Sequence, residues 1–311
     1  MTELIVQLLI FTVSLAVLPL ASHFAIRFIE KLIESTGLSE ASAGFIILSV
    51  MTSTPEITVA LFSVLQGTPG ISIGDILGSN VFNIGAVVGI LGMLGYLATC
   101  CTDRLIELTD ILFLTSLIPL LLVVFKVSSP FVGVLLLGTF FVNVYYMAKK
   151  KMPAVDVDKP KARGEKILII VAKLAFTMAA VLVASHLIVI SGLGIASSLG
   201  APPILIGAKV VAIGTSLPEL TVDFMAVRRG RVQLAIGDII GSNLTNLTLV
   251  LGLVLLSSPF AVDMTIFTEI LPFLLITTLI LWRFLNKGGV TQMGGVILIF
   301  TYILFQAVVI G

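Results

Sequence analysis

The chain is poor in nearly everything a water-soluble protein relies on. Of its 311 residues only 11% are charged, against about 25% in an ordinary soluble domain. That scarcity excludes a soluble enzyme and a nucleic-acid binder. Cysteine is limited to the adjacent Cys100 and Cys101, which excludes a disulfide framework and reads as small apolar filler at a helix end. Histidine is limited to His23 and His186. What the chain has instead is apolar bulk: 58% hydrophobic residues and a mean hydropathy of +1.19. The apolar runs are long and unbroken, where an outer-membrane barrel would alternate polarity over roughly ten-residue segments. The spans are therefore helices in a bilayer. At about 20 residues per crossing, the length holds roughly ten to twelve spans and no sizeable soluble domain.

Reading apolar stretches between charges, glycines and prolines predicts ten spans, near 4–26, 41–65, 71–97, 106–125, 129–148, 167–191, 203–227, 233–256, 264–282 and 289–310. The first does not read as a cleavable signal, because it opens with Glu3 and outruns an ordinary signal core. With the N-terminus outside, fifteen Lys and Arg fall in cytoplasmic loops and Lys126 alone in an external one. This excess is the positive-inside pattern of a multi-pass protein of the cell membrane, with both termini external.

An internal repeat organises the whole chain. Sliding the sequence by 163 residues lays MTSTPEITV (51–59) on GTSLPELTV (214–222), and GDILGSNVFN (74–83) on GDIIGSNLTN (237–246). Between 44 and 89, 19 of 46 positions are identical without a gap. Composition bias toward Ile, Leu and Val cannot align Pro, Glu, Asp, Ser, Asn and Gly. The expected division is 1–148, a basic cytoplasmic linker 149–163 (KKKMPAVDVDKPKAR), and 164–311. Five spans per half is an odd number, so the second half enters the membrane from the opposite side. Inverted repeats of this kind place a binding site at their interface near the midplane.

The polar residues inside the spans carry the chemistry. Thr52, Ser53 and Glu56, with Thr215, Ser216 and Glu219, lie at helical spacings around Pro55 and Pro218. Each proline removes a backbone donor, which frees the carbonyls of Met51 and Gly214 as cation ligands. Asp75, Ser79 and Asn83, like Asp238, Ser242 and Asn246, are spaced by four and form one polar stripe per helix. Glycines beside the stripes allow close backbone approach. Ten oxygen-bearing side chains are thus available, Thr52, Ser53, Glu56, Ser79, Asn83 and their partners at +163, with no Cys or His among them. Oxygen ligation suits Ca2+ or Na+ and argues against zinc or copper. A carboxylate at the bilayer centre costs about 2.5–3.5 kcal/mol on insertion scales, and a bound cation is the natural compensation.

These motifs resemble those of the calcium/cation antiporters, whose microbial sodium/calcium exchangers carry two repeats of the form G-T-S-x-P-E followed by G-S-N-x-x-N or G-S-N-x-x-D. The resemblance covers both repeats and the five-plus-five layout. It implies that Glu56 and Glu219 are central calcium ligands with carbonyls at Thr52 and Thr215. It further implies that Ser53, Ser79, Ser216, Ser242, Asn83 and the position of Asn246 complete sodium sites, and that the first and sixth helices slide during alternating access.

Several residues depart from that pattern. Asn246 stands where an acid is usual in the second repeat, leaving two central carboxylates, which balance one Ca2+ or two Na+. Asp75 and Asp238 replace the commoner Asn, and either line the access paths or bond to broken backbone near helix ends. Met51 and Thr54 replace Gly and Leu, so the first repeat is expected to bend differently. Lys209 either faces a path-lining acid or snorkels outward. Asp223, one turn from Glu219, either lines the cytoplasmic path or pairs with Arg228 or Arg229. His23 and His186, symmetry mates on the candidate sliding helices, either pack or confer a pH response.

The sequence therefore reads as an all-α membrane protein, a ten-helix inverted-repeat antiporter exchanging Ca2+ or a similar cation against Na+. It calls for no cofactor, and its partners are inorganic cations and the lipid bilayer, with no obligatory protein partner evident. Proton-coupled antiport, with H+ carried on the glutamates, is the alternative within transport. A cation channel would use similar oxygens around a symmetric pore. A membrane-embedded hydrolase lacks a nucleophile and base together.

Overall fold

The computed structural model of the chain describes residues 2–65, 69–100, 102–125, 129–149, 166–198, 213–257 and 264–308. Among them every regular element is helical. Helix α1 (Thr2–Thr36) has 35 residues, about 52 Å at roughly 1.5 Å per residue, which exceeds a hydrocarbon core of about 30 Å. It stops at Gly37, whose φ of 71° suits a residue without a Cβ. Ser39 then caps α2 (Glu40–Ala43) by accepting from the Ser42 N–H at 3.1 Å.

From α2 the chain widens into a π turn at Gly44–Leu48, continues as α3 (Ser49–Thr52), breaks at Ser53, and resumes as α4 (Thr54–Leu65). The segments on either side of the break meet at 42°. Pro55 explains the break, since its ring cannot donate to residue 51. Helix α5 (Pro69–Phe82) opens on a proline, whose missing donor is harmless there. It passes into a second π turn, Asn83–Val88, and then α6 (Gly89–Met93). Helices α7 (Asp103–Phe125), α8 (Pro130–Lys149) and α9 (Ile167–Ser198) follow.

The second half repeats these features in register. Helix α10 (Leu217–Arg228) begins after a break at Ser216, the +163 mate of Ser53. Its bounds are those of α4 shifted by 163, and α11 (Val232–Thr245) is likewise α5 shifted by 163. A π turn at Asn246–Val250 leads into α12 (Leu251–Ser257), and α13 (Met264–Leu285) and α14 (Gln292–Val308) complete the chain. Helix α10 ends in a Schellman-type turn: Gly230 has φ 77° and the Arg231 N–H reaches the Ala226 carbonyl at 2.9 Å. The expected linker, from residue 150 onward, lies outside the described residues.

Five helices are long and apolar enough to span a bilayer, or six when the bent pair counts as one, among the described residues. Two of them form the centre: 89% of the most apolar stretch of Ser72–Met93 and 83% of that of Val232–Ser257 is buried in protein. The corresponding shares for the spans of α1 and α9 are 17% and 28%. These two long helices lie against one another at the periphery. Packing crosses the repeats reciprocally, with α8 on α12 and α14 on α6, while α7 packs on its own mate α13.

Glycine sets the closest approaches. A Cβ on Gly133 would sit 2.7 Å from the Gly252 carbonyl oxygen, and one on Gly295 would sit 2.6 Å from that of Gly89. The same device seats α11 on α2–α3: a Cβ on Gly237 would meet the Ala41 oxygen at 2.6 Å, and one on Gly44 the Asp238 nitrogen at 2.7 Å. Backbone against backbone leaves no slack at this seam.

Candidate cation-binding site

The helix breaks at Ser53 and Ser216 and the π turns at Asn83 and Asn246 meet in the buried centre. Thr52, Ser53, Glu56, Ser79, Asn83, Ser216, Glu219, Ser242 and Asn246 are all 0% exposed. Thr215 is half-buried. Ser79 Oγ donates to Glu56 Oε1 at 3.2 Å, so the first-repeat stripe supports the first-repeat glutamate. Thr52 Oγ1 and Ser242 Oγ are 3.1 Å apart, which joins the two repeats.

One set of contacts between the repeats is reciprocal. Thr52 Oγ1 donates to Asp238 Oδ1 at 3.4 Å, and Thr215 Oγ1 donates to Asp75 Oδ1 at 3.3 Å. Each pair is the other shifted by 163 in both members, the signature of a local two-fold axis. The axis runs by Asn80 and Asn243, themselves mates: Asn80 Nδ2 donates to the Asn243 carbonyl at 3.2 Å. Asn246 Nδ2 donates to Asn80 Oδ1 at 3.1 Å. The amide at position 246 thus makes a neutral hydrogen bond across the repeats.

What remains is a surplus of acceptors. Among the described residues, Glu56 Oε2, both oxygens of Glu219, Asp75 Oδ2 and Asp238 Oδ2 have no hydrogen-bond partner, nor do the hydroxyls of Ser53 and Ser216. Both polar atoms of Asn83 and the oxygen of Asn246 are also unpartnered. Glu56 lies close enough to Glu219 and Asp75 for their charges to repel. Buried polar groups are ordinarily satisfied, and an uncompensated buried charge is strongly destabilising. Oxygens converging from broken helices, with acidic groups in excess, can hold hard cations. Among the described residues no three His, Cys, Asp or Glu gather closely enough to hold a metal by themselves. A cation here would draw on hydroxyl, amide and carbonyl oxygens as well.

Comparison with known proteins decides the family. The family described as sodium/calcium exchanger protein matches residues 6–149 and 169–311, nearly all of both halves. The chain belongs to the sodium/calcium exchanger family. It is 29% identical to the sodium/calcium exchanger MaX1 of Methanosarcina acetivorans, over 97% of this chain and 98% of that protein. It is 30% identical to the putative antiporter CaxA of Alkalimonas amylolytica, over 75% of each. Among solved structures it is similar to the sodium-calcium exchanger NCX_Mj, with TM-score 0.84 and 25% identity over 98% of this chain and 99% of that one. MaX1 and NCX_Mj are named as exchangers of sodium and calcium.

Within this exchanger the structure separates residues that the sequence had grouped. The hydrogen bonds described for Asp75 and Asp238 come from threonines of the opposite repeat, Thr215 and Thr52. The Met51 carbonyl, expected to be freed by Pro55, accepts from Thr54 Oγ1 at 2.8 Å. Leu217, the mate of Thr54, brings no hydroxyl to the matching place.

Asp223 makes no pair with Arg229, which instead contacts Glu30 at 2.7 Å. Arg231 joins it, with Nε 3.0 Å from Glu30 and Nη1 2.8 Å from Glu40. The hydrogen bond that Arg231 donates to Glu30 pushes its guanidinium further above its usual range. Both histidines are exposed on α1 and α9 and do not reach the centre. His23 Nε2 lies 3.4 Å from Arg229 Nη1. Lys209 lies outside the described residues.

Sequence reasoning passed over Asn80 and Asn243. Their signal was present, because both stand in the repeated G-S-N triplet. Ser22 and Ser185 were also missed. These mates on α1 and α9 are buried with unpartnered hydroxyls, facing inward where the neighbouring histidines face out.

Proposed function

We propose that this chain exchanges Na+ against Ca2+ by alternating access at one site, with Glu56 and Glu219 as its central ligands. The observation that carries the reading is the pair of fully buried glutamates with three of four carboxylate oxygens unpartnered among the described residues. An empty site with two bare carboxylates resists crossing the bilayer, which enforces exchange over leak. Thr52, Ser53, Ser79, Asn83, Thr215, Ser216, Ser242 and Asn246 would supply the remaining oxygens. The reciprocal Thr–Asp pairs support a site shared between two repeats, residues 1–148 and 164–311.

The ten-span layout, with the repeats inverted, both termini external and the basic linker 149–163 cytoplasmic, completes the proposal. It is supported by the distribution of Lys and Arg and by the secondary structure recurring at +163. The peripheral pair α1 and α9 is the natural moving part, since the seam of α11 on α2–α3 is locked backbone to backbone. The exchanger needs cations and a bilayer as partners and no cofactor.

The test uses purified protein in sealed vesicles. Ca2+ uptake should follow an imposed outward Na+ gradient, and E56Q and E219Q should each abolish it. Uptake at the full rate in both variants would show that the site lies elsewhere. Uptake driven by a pH gradient and indifferent to Na+ would overturn the choice of coupling ion.

A further inference from the structure

The centre holds more negative charge than its two glutamates. Asp75, Asp223 and Asp238 are also buried, at 8%, 0% and 0% exposure, and lie near enough to the glutamates for their charges to interact. Fully ionised, the five carboxylates would carry five negative charges, of which one Ca2+ or two Na+ at the central site would balance two. Among the described residues no basic group is a hydrogen-bonding or charge partner of any of the five.

The excess is concentrated on one side. Asp223 and Asp238 approach each other within side-chain hydrogen-bonding reach. Both oxygens of Asp223 and Oδ2 of Asp238 have no donor among the described residues. Two ionised carboxylates only accept, so this pair closes either on a shared proton or on a shared cation. Asp238 also faces the hydroxyls of Thr52 and Ser242. The mate of Asp223 is Ala60, which is buried at 1% exposure, so among the described residues the matching place beside Asp75 and Thr215 has no second aspartate.

We infer that Asp223 and Asp238 form a second site for a divalent hard cation, placed between the central glutamates and the turn at residues 228–231. Two carboxylates match the charge of one Ca2+, and the Thr52 and Ser242 hydroxyls extend its oxygen shell. Because Thr52 belongs to both centres, a cation held by the aspartates stands one step from the transport site. The position acts as a waiting site on one face only. Inverted repeats otherwise present the same chemistry to both sides, and this pair makes the two faces unequal in Ca2+ affinity. The inference deepens the exchange reading and rests on it.

The experiment counts bound Ca2+ by equilibrium dialysis of the purified full-length protein without Na+, alongside Na+-driven uptake by the wild type. The wild type should bind two Ca2+ per chain, and D223N and D223A, the latter reproducing Ala60, should each bind one. In vesicles of defined orientation, D223N should weaken apparent Ca2+ affinity about tenfold at the face bearing residues 228–231 and leave the opposite face within about twofold. In chelator, D223N should melt no lower than the wild type, since the substitution removes an uncompensated buried charge. Equal Ca2+ counts in the wild type and both variants would overturn the site, as would an equal loss of affinity at both faces. Wild-type vesicles that show no Na+-driven uptake would instead sink the exchange reading, which the count leaves untouched.

Discussion

The two repeats place the breaks at Ser53 and Ser216 and the π turns from Asn83 and Asn246 at matching positions and exchange matching Thr–Asp bonds, yet they differ at the points where charge meets backbone. In the first, Thr54 closes the carbonyl that Pro55 opened; in the second, Leu217 cannot. The first repeat has Ala60 where the second buries Asp223. The second supplies Arg229 and Arg231 to hold α1 through Glu30, while Gln66 and Thr68 stand at the matching positions of the first. The repeats share their central polar residues and differ in the groups that stand beside them.

The largest effect tests the part of the comparison that should be equal. E56Q and E219Q occupy symmetric places and should both reduce Na+-driven Ca2+ uptake to background, as measured in vesicles. A variant retaining substantial transport in one repeat alone would show that the glutamates are not equivalent. Next, N246D introduces an acid in the second repeat. It should turn exchange from nearly independent of membrane potential into current-generating exchange, read by uptake under imposed potentials. N83D, its mate, is the control for charge placed in the other repeat.

Packing gives a smaller expected effect. G237V forces a branched side chain against the Ala41 oxygen, which a Cβ alone would meet at 2.6 Å. It should lower stability by about 1–3 kcal/mol, seen as an earlier thermal transition in detergent. E30Q removes the charge that receives both arginines. It should cost about 1 kcal/mol at low salt and less at high salt, because the arginines are partly exposed. The smallest change is T54L, which copies the second repeat into the first. Loss of its bond to the Met51 carbonyl should cost about 0.5–1.5 kcal/mol and is best read as a shift in melting temperature.

Much of this was legible in the chain. The 163-residue repeat, the polar stripes and the positions of the helix breaks follow from identities and spacing, because each is a property of local sequence. The ten oxygen-bearing residues could be listed for the same reason, and the structure gathers those it describes into one buried centre. Contacts between helices were less legible. Nothing in the spacing of Asp223 discloses that it meets Asp238 rather than Arg229, because the choice depends on how α10 lies against α1 and α11. The outward aim of His23 and His186 was hidden for a similar reason: symmetry indicates that two residues are alike, not which way they point. The bond from Thr54 Oγ1 to the Met51 carbonyl was equally hidden, because it depends on the rotamer of a residue that departs from the usual pattern. The five or six apolar spans among the described residues fall short of the predicted ten because the bend at Ser53 and the undescribed segments interrupt several stretches.

The asparagines on the axis have a consequence of their own. A single donor–acceptor bond lying on a two-fold axis cannot obey it, because one partner must give and the other receive. Asn80 gives its amide to Asn243, and Asn243 turns its own amide back to Ile239 at 2.9 Å. Two identical residues therefore hold different posts. The two halves of the centre therefore differ in which amide crosses between the repeats, although the residues that carry those amides are identical.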